Sequence, residues 1–354
     1  MSDIGKSVQD YYGKTLQSSK DLKTNACCTA FDYPLKIKKI LAEIHDEVMA
    51  KYYGCGLTIP TDLKGLKVLD LGSGSGRDCY LVSKLIGEKG FVTGVDMTDE
   101  QLAVANRHIA YHTKKFGYQQ PNIAFKKGEI EKLDELGLGK ASLDLIISNC
   151  VINLSTNKKK VLKDCFSLLR EGGEMYFSDV YVNKRIPKEL GTDPVVYGEC
   201  LGGALYWNDF ENFARQVGFN DPRVVEAAPI TIENKELEQK LFGYEFYSIT
   251  YRLFKMESLE ADCEDFGQAV IYRGSVEDNP DVFLLDQGHV FQKGKVHPVC
   301  GNTFNMLHKS RLREHFEFIG DFETHYGIFP GCGKENPFTS LHQGAEPIKG
   351  QSCC

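Results

Sequence analysis

The chain lacks any surplus of basic residues: 42 Lys and Arg stand against 49 Asp and Glu, for a formal net charge of -7. Scattered cations in an acidic background form no footprint for a polyphosphate, which argues against nucleic acid as the main partner and favours a small molecule. No apolar stretch approaches the length of a bilayer span, and Met1-Ser-Asp-Ile-Gly-Lys6 has no secretory apolar core, so a cytoplasmic protein without a membrane partner is expected. Repeats and long low-complexity linkers are missing. So is any Cys-x-x-Cys pair, which disfavours a zinc ribbon or a thioredoxin-like dithiol.

Cysteine itself is plentiful. Twelve occur, at 27, 28, 55, 79, 150, 165, 200, 263, 300, 332, 353 and 354. In a reducing compartment they are expected as thiols that pack, bind soft ligands or cycle redox state. Apolar residues at helical spacing from Leu35 to Met49 predict helix, ending at Tyr52-Tyr-Gly-Cys-Gly56. From Lys67 onward strands and helices alternate. Strands are predicted at 68–71, 90–95, 123–126, 143–148 and 175–178, and helices at 77–86, 99–116 (capped by Asp99) and 158–170. That alternation predicts an α/β fold with a mainly parallel sheet covered on both faces. A helix at 208–217 and strands at 223–225, 229–232 and 246–254 extend it, with weaker strand signals at 268–272 and 282–285.

Asp70-Leu-Gly-Ser-Gly-Ser-Gly76 lies between the first strand and the first helix of this alternation. Glycines there permit a tight turn and let a ligand lie against main-chain amides. The spacing is GxGxG, and Arg77 stands where a dinucleotide fingerprint has its third glycine, which weakens the NAD reading. Twenty residues past Gly76, Asp96 closes the second strand, placed to accept hydrogen bonds from both hydroxyls of a ribose. Together with the Arg170-Glu-Gly-Gly173 turn, these features resemble the class I methyltransferases with their Rossmann-like sheet. The resemblance implies that Asp70, Gly72, Ser73, Gly74 and Gly76, with Met97, Ile130, Glu131 and Asn149, surround S-adenosylmethionine.

Four cysteines stand in distinctive settings: Thr24-Asn-Ala-Cys27, Tyr52-Tyr-Gly-Cys-Gly56, Ser148-Asn-Cys-Val-Ile-Asn-Leu154 and Gly198-Glu-Cys-Leu-Gly-Gly-Ala-Leu-Tyr-Trp207. Cys150 follows the fourth strand at its carboxyl end, where open α/β sheets collect ligands. A single such cysteine is more often a small buried hydrophobe, so the set carries the idea. These segments, with Leu71-Gly-Ser-Gly-Ser-Gly-Arg-Asp-Cys-Tyr80 and Gly94-Val-Asp-Met97, resemble the animal-type arsenite methyltransferases over about residues 8–255. The resemblance implies that Cys55, Cys150 and Cys200 bind trivalent arsenic and that Cys27 joins them in redox steps. The implied substrates are arsenite and methylarsenite as thiol conjugates, with thioredoxin or glutathione as reductant and no obligatory metal cofactor. The pattern of elements divides the chain into a helical cap over 1–60, a cofactor-binding domain over 61–182, a lobe over 183–257 that completes the sheet and that the resemblance makes arsenic-binding, and a small C-terminal domain with a flexible tail over 258–354.

Two rivals stay open at this point. A methyltransferase acting on carbon, oxygen or nitrogen would use the cysteines only for packing and would need a general base, for which Glu199, Tyr206 or His45 are candidates. A non-enzymatic soft-metal or zinc protein would use the same thiols, but it has no need of the glycine loop. Lys158-Lys-Lys160 reads as a solvated helix start, and Cys79 and Cys165 as helix packing residues.

Overall fold

The computed structural model describes residues 33–52, 56–232 and 234–331. Cys27, Cys28, Cys55, Cys332 and the tail with Cys353-Cys354 lie outside the described residues. The predicted N-terminal helix is two: α1 (Leu35–Leu41) and α2 (Asp46–Ala50). The break comes at His45, whose side chain accepts from the Glu47 amide and so caps a new helix.

The alternating region then runs β1 (Lys67–Leu71), α3 (Arg77–Ile86), β2 (Phe91–Asp96), α4 (Asp99–Arg107), α5 (Ile109–Phe116), β3 (Ile123–Lys127), β4 (Leu143–Asn149), α6 (Lys158–Leu168) and β5 (Leu169–Val182). After it come β6 (Leu205–Tyr206), α7 (Trp207–Val217), β7 (Arg223–Pro229) and β8 (Phe246–Phe254). These eight strands make one sheet in the order β3-β2-β1-β4-β5-β8-β7, with β6 beside β5. β1 to β5 are parallel, and β8 runs antiparallel between β5 and β7. Both faces are buried, as a parallel sheet requires. Leu69 and Leu71 of β1 join the core under α6 and α7, while Val68, just before them, joins the core under α1 to α4.

Local details depart from the sequence reading. The helix predicted over 99–116 is interrupted at His108, which caps α5 and ends α4. Asp99 is the first residue of α4 and not its cap; Thr98 holds that position, its amide donating to Asp96. The strand predicted at 223–225 runs on as β7 to Pro229, and Ile230 to Ile232, predicted as part of a further strand, lie beyond its end. Around Glu171-Gly-Gly173 β5 bulges, the register passing from Leu143 opposite Leu169 to Leu145 opposite Glu174. Gly172 sits at φ +76°, and a Cβ there would stand 2.2 Å from the Lys309 carbonyl oxygen. The bulge is therefore pressed against the C-terminal region.

That region has a core of its own. β9 (Glu264–Asp265), β10 (Gln268–Tyr272), β11 (Val282–Asp286), β12 (His289–Gln292), β13 (Val296–Val299), α8 (Gly301–His308), β14 (Phe316–Ile319) and β15 (Gly327–Ile328) enclose Val270, Tyr272, Phe283, Phe291, Met306 and Phe316. A buried ion network fastens it to the sheet: Glu174 of β5, with no exposed surface, pairs with Arg252 of β8 at 2.8 Å and with Arg311. Arg311 also donates to the Asp62 carbonyl at 2.8 Å. No helix among the described residues is long and apolar enough to cross a membrane.

Burial alone would raise the Glu174 pKa, but Arg252 and Arg311 outweigh it and hold the carboxyl below its ordinary range. Its contribution to stability is then complete above about pH 4.3 and fades as pH falls through the lower folded value. Arg311→Met is expected to cost about 3 kcal/mol, the low end for breaking a buried pair because Arg252 remains. Urea denaturation at neutral pH measures that loss, and repeating it in acid should show the difference from the parent shrinking.

Candidate active site

The ends of β1, β2 and β4 face one cavity of about 400 Å³ at the point where the strand order reverses. Asp70, Gly72, Ser73, Gly74, Asp96, Met97, Ile130, Glu131, Asn149 and Cys150 all border it. The glycine loop is shaped by its neighbours. The amides of Gly72 and Ser73 donate to the Val95 carbonyl at 2.8 and 3.0 Å. Gly74, at φ +51°, has nothing within 4 Å of where a Cβ would be, so its backbone faces open space. Gly76 is not on the wall. It begins α3 at φ +90° with a Cβ position 2.7 Å from Phe125, so its role is close packing.

Asp96 accepts from the Gly74 amide at 2.9 Å through Oδ2 and from the Thr98 amide at 2.8 Å through Oδ1. Burial raises its pKa, and those backbone bonds oppose the rise. Asp70 is buried and accepts from the Cys79 thiol at 3.1 Å. Burial, with Asp78 and Asp96 nearby, pushes the Asp70 carboxyl well above its usual range. Arg77, next to this wall, is committed elsewhere: it pairs with Asp78 at 2.6 Å and lies 3.3 Å over the Tyr52 ring. A wall this rich in carboxylates suits a cationic ligand. The hydroxyl of Ser73, buried on that wall, has no hydrogen-bond partner among the described residues. That orphan and the open face of Gly74 fit a bound polar molecule such as S-adenosylmethionine.

Asn149 ties the N-terminal segment to this loop. Its amide nitrogen donates to the Tyr52 hydroxyl at 2.7 Å, the Gly56 carbonyl at 3.1 Å and Asp78 Oδ2 at 3.1 Å. The Gly56 carbonyl also accepts from the Tyr52 hydroxyl at 2.9 Å and from Arg77 at 3.2 Å. Gly56 immediately follows Cys55 in sequence, and Asn149 immediately precedes Cys150.

Cys150 and Cys200 come together although fifty residues separate them in sequence: the Cys200 thiol lies 3.7 Å from the Cys150 carbonyl oxygen. The cause is a close approach of backbones, since a Cβ on Gly203 would stand 2.0 Å from the Asn153 carbonyl oxygen. Both cysteines adopt left-handed φ, +56° and +62°, an arrangement that costs a non-glycine residue about 1–3 kcal/mol. Strain of that kind collects at functional sites. Cys150 is disulfide-bonded. Cys79 and Cys165 are fully buried on α3 and α6, as packing residues would be.

Sequence reasoning missed Lys158. Instead of a solvated helix start, its ammonium turns inward and donates to the Ser155 carbonyl at 2.8 Å. Burial lowers its pKa to about 8, while Asp179, Glu131 and Cys200 lie close enough to oppose the shift. The sequence signal was faint, because the inward lysine sits in a run with Lys159 and Lys160, which bond to Gln216, Asp134 and Asp164. Tyr52 was missed as well, having been read only as part of a helix breaker. None of Glu199, Tyr206 and His45 is among the described residues bordering the cavity.

A family model described as a methyltransferase domain matches residues 62–218, and one described as a domain of unknown function matches residues 259–326. An arsenite methyltransferase of Aquipseudomonas alcaligenes is 55% identical over 98% of this chain and 99% of its own. The Homo sapiens arsenite methyltransferase is 45% identical over 89% of this chain and 84% of its own. A crystal structure of an arsenic(III) S-adenosylmethionine methyltransferase from Chlamydomonas reinhardtii superposes with a TM-score of 0.81 at 50% identity, covering 84% of this chain and 99% of that one. With a Rossmann-like sheet, a glycine loop and near full-length identity of this order, the chain belongs to the arsenite methyltransferase family.

Proposed function

We propose that the chain moves the methyl group of S-adenosylmethionine to trivalent arsenic held by the thiolates of Cys55, Cys150 and Cys200, giving methylated and dimethylated arsenicals. The observation that carries this reading is the meeting of Cys150 and Cys200, both in strained backbone, beside the carboxylate-lined cavity. Bound S-adenosylmethionine supplies a methyl already activated by its sulfonium charge. Asp96 holds the ribose hydroxyls, and Asp70, Gly72, Ser73, Gly74, Met97, Ile130, Glu131 and Asn149 enclose the rest of the donor. The thiolates are soft ligands that suit arsenic and leave its lone pair pointing at the methyl. Alignment and exclusion of water are then most of the task, and no general base is required.

Methyl transfer raises arsenic formally to the pentavalent state. Two electrons return it to the trivalent state when a thiol pair that includes Cys27 closes to a disulfide, releasing two protons. Thioredoxin or glutathione then reopens that disulfide in the cytoplasm. The disulfide-bonded state of Cys150 is one that such a reductant must reverse before arsenic binds. Arsenite and methylarsenite reach the site as thiol conjugates.

The direct test is incubation with arsenite, S-adenosylmethionine and glutathione, followed by speciation of arsenic. Methylated arsenicals are expected from the parent, and no more than traces from Cys150→Ser. Serine carries the same Cβ at φ +56°, so this exchange removes the sulfur without altering the backbone strain; an active Cys150→Ser protein would exclude the site.

Asp96→Ala is expected to weaken S-adenosylmethionine binding by about 1.5–3 kcal/mol, the worth of a charge-assisted hydrogen bond, read by calorimetry. Unchanged affinity would assign the ribose to another residue.

Lys158 is charged below about pH 8 and loses its charge above it. If that charge supports the Cys200 thiolate, Lys158→Met should slow methylation most below pH 8, with parent and variant rates converging as pH rises. A pH–rate comparison decides this, and a constant ratio would leave Lys158 a purely structural role.

A further inference from the structure

Away from the cavity, three metal-ligating side chains converge where α2 meets α4 and α5. His45 precedes α2, Glu47 lies in its first turn, and His108 fills the break between α4 and α5. One ligand atom from each lies within 4.8 Å of the other two. The rings of His45 and His108 stack with centroids 3.8 Å apart, and His108 Nε2 stands 2.7 Å from Glu47 Oε2. Arg107 occupies the other carboxylate oxygen at 2.6 Å, so Glu47 has one oxygen to offer. His112 is already used, accepting from the His45 amide at 3.2 Å and bonding the His108 carbonyl at 2.8 Å. Nothing in the proposed methyl transfer calls on this group.

We propose that His45, Glu47 and His108 form a binding site for a borderline divalent transition cation of the zinc class, distinct from the arsenic site. Two imidazole nitrogens and one carboxylate oxygen are the donor set such cations prefer, whereas calcium and magnesium take oxygen and arsenic takes sulfur. Bonds of about 2.0–2.1 Å place tetrahedral ligands roughly 3.3 Å apart, which small side-chain rotations reach from the present spacing. Water takes the fourth position, because the Glu47 side chain is one-third exposed. The cation takes the place of the hydrogen bond between His108 and Glu47. It also ends the 3.2 Å bond from the Glu47 amide to His45 Nδ1: that nitrogen either binds the cation or carries the proton when Nε2 does.

The position gives the site a consequence. The Val48 carbonyl of α2 accepts from the Ser75 hydroxyl of the glycine loop at 2.8 Å. A cation joining α2 to the α4–α5 break therefore fastens the segment that carries Tyr52 and Gly56 to the cofactor loop.

The test uses the full chain with Co²⁺ alone as the probe. One Co²⁺ per chain is expected, with ligand-field bands and no thiolate-to-cobalt charge transfer. His45→Asn keeps a capping side chain on α2 while removing the imidazole. That variant and His108→Ala should each weaken binding by about 100-fold, at least the loss that removing a mere supporting contact brings. In the parent protein, amide exchange across residues 46–50 and 105–112 should slow when Co²⁺ is added, a readout that needs no variant to fold. Cobalt bound only with thiolate charge transfer, an unchanged affinity in His45→Asn, or no protection of residues 46–50 would each overturn the assignment.

Discussion

One carboxamide holds the active region in register. Asn149 spreads its two N–H donors over the Tyr52 hydroxyl, the Gly56 carbonyl and Asp78, and so joins the end of β4, the N-terminal segment and the first turn of α3. In a buried setting each of those acceptors would be costly to leave unpaired, so the three chain segments are held to one arrangement. Arg77 reinforces it from the other side by stacking on Tyr52 and donating to Gly56. The first turn of α3, the strand end that leads into Cys150 and the chain just after Cys55 are thereby tied at a single point, and relative movement of any of them must break this knot.

Around the knot the protein concentrates uncomfortable electrostatics. Asp70 and Asp96 are both pushed upward by burial, while Arg77, which might have neutralised Asp70, is committed to Asp78. A cationic donor entering the cavity relieves that excess of carboxylate. Lys158 is the complementary case, an ammonium whose pKa burial lowers although acids and a thiol lie near it.

Much of this was legible in the sequence, because its periodicities are local. The helix at 77–86 and the strand at 246–254 have the limits read from the apolar pattern. The glycine loop was legible because glycine meets without strain the left-handed φ values found at Gly72, Gly74 and Gly76. What escaped was set by distant partners. His108 breaks a helix whose apolar pattern continues unbroken, and its ring finds Glu47, sixty-one residues earlier. The inward turn of Lys158 depends on Asp179 and Cys200, which belong to later elements. The left-handed backbone at Cys150 and Cys200 has no signature in composition, since asparagine or glycine is the usual occupant of such positions.

The pairing of Glu174 with Arg311 bears on how the molecule is assembled. The two residues are 137 positions apart, and β5, which carries Glu174, is laid down in the middle of the sheet. During synthesis, every residue of the glycine loop and of the strands beside it emerges from the ribosome well before Arg311 does. Until then the central sheet can close only around a carboxylate missing one of its two partners, an arrangement that favours an open or protonated intermediate over a finished one. Completing the ion pairs of the central sheet is thus coupled to arrival of the C-terminal region that carries Arg311.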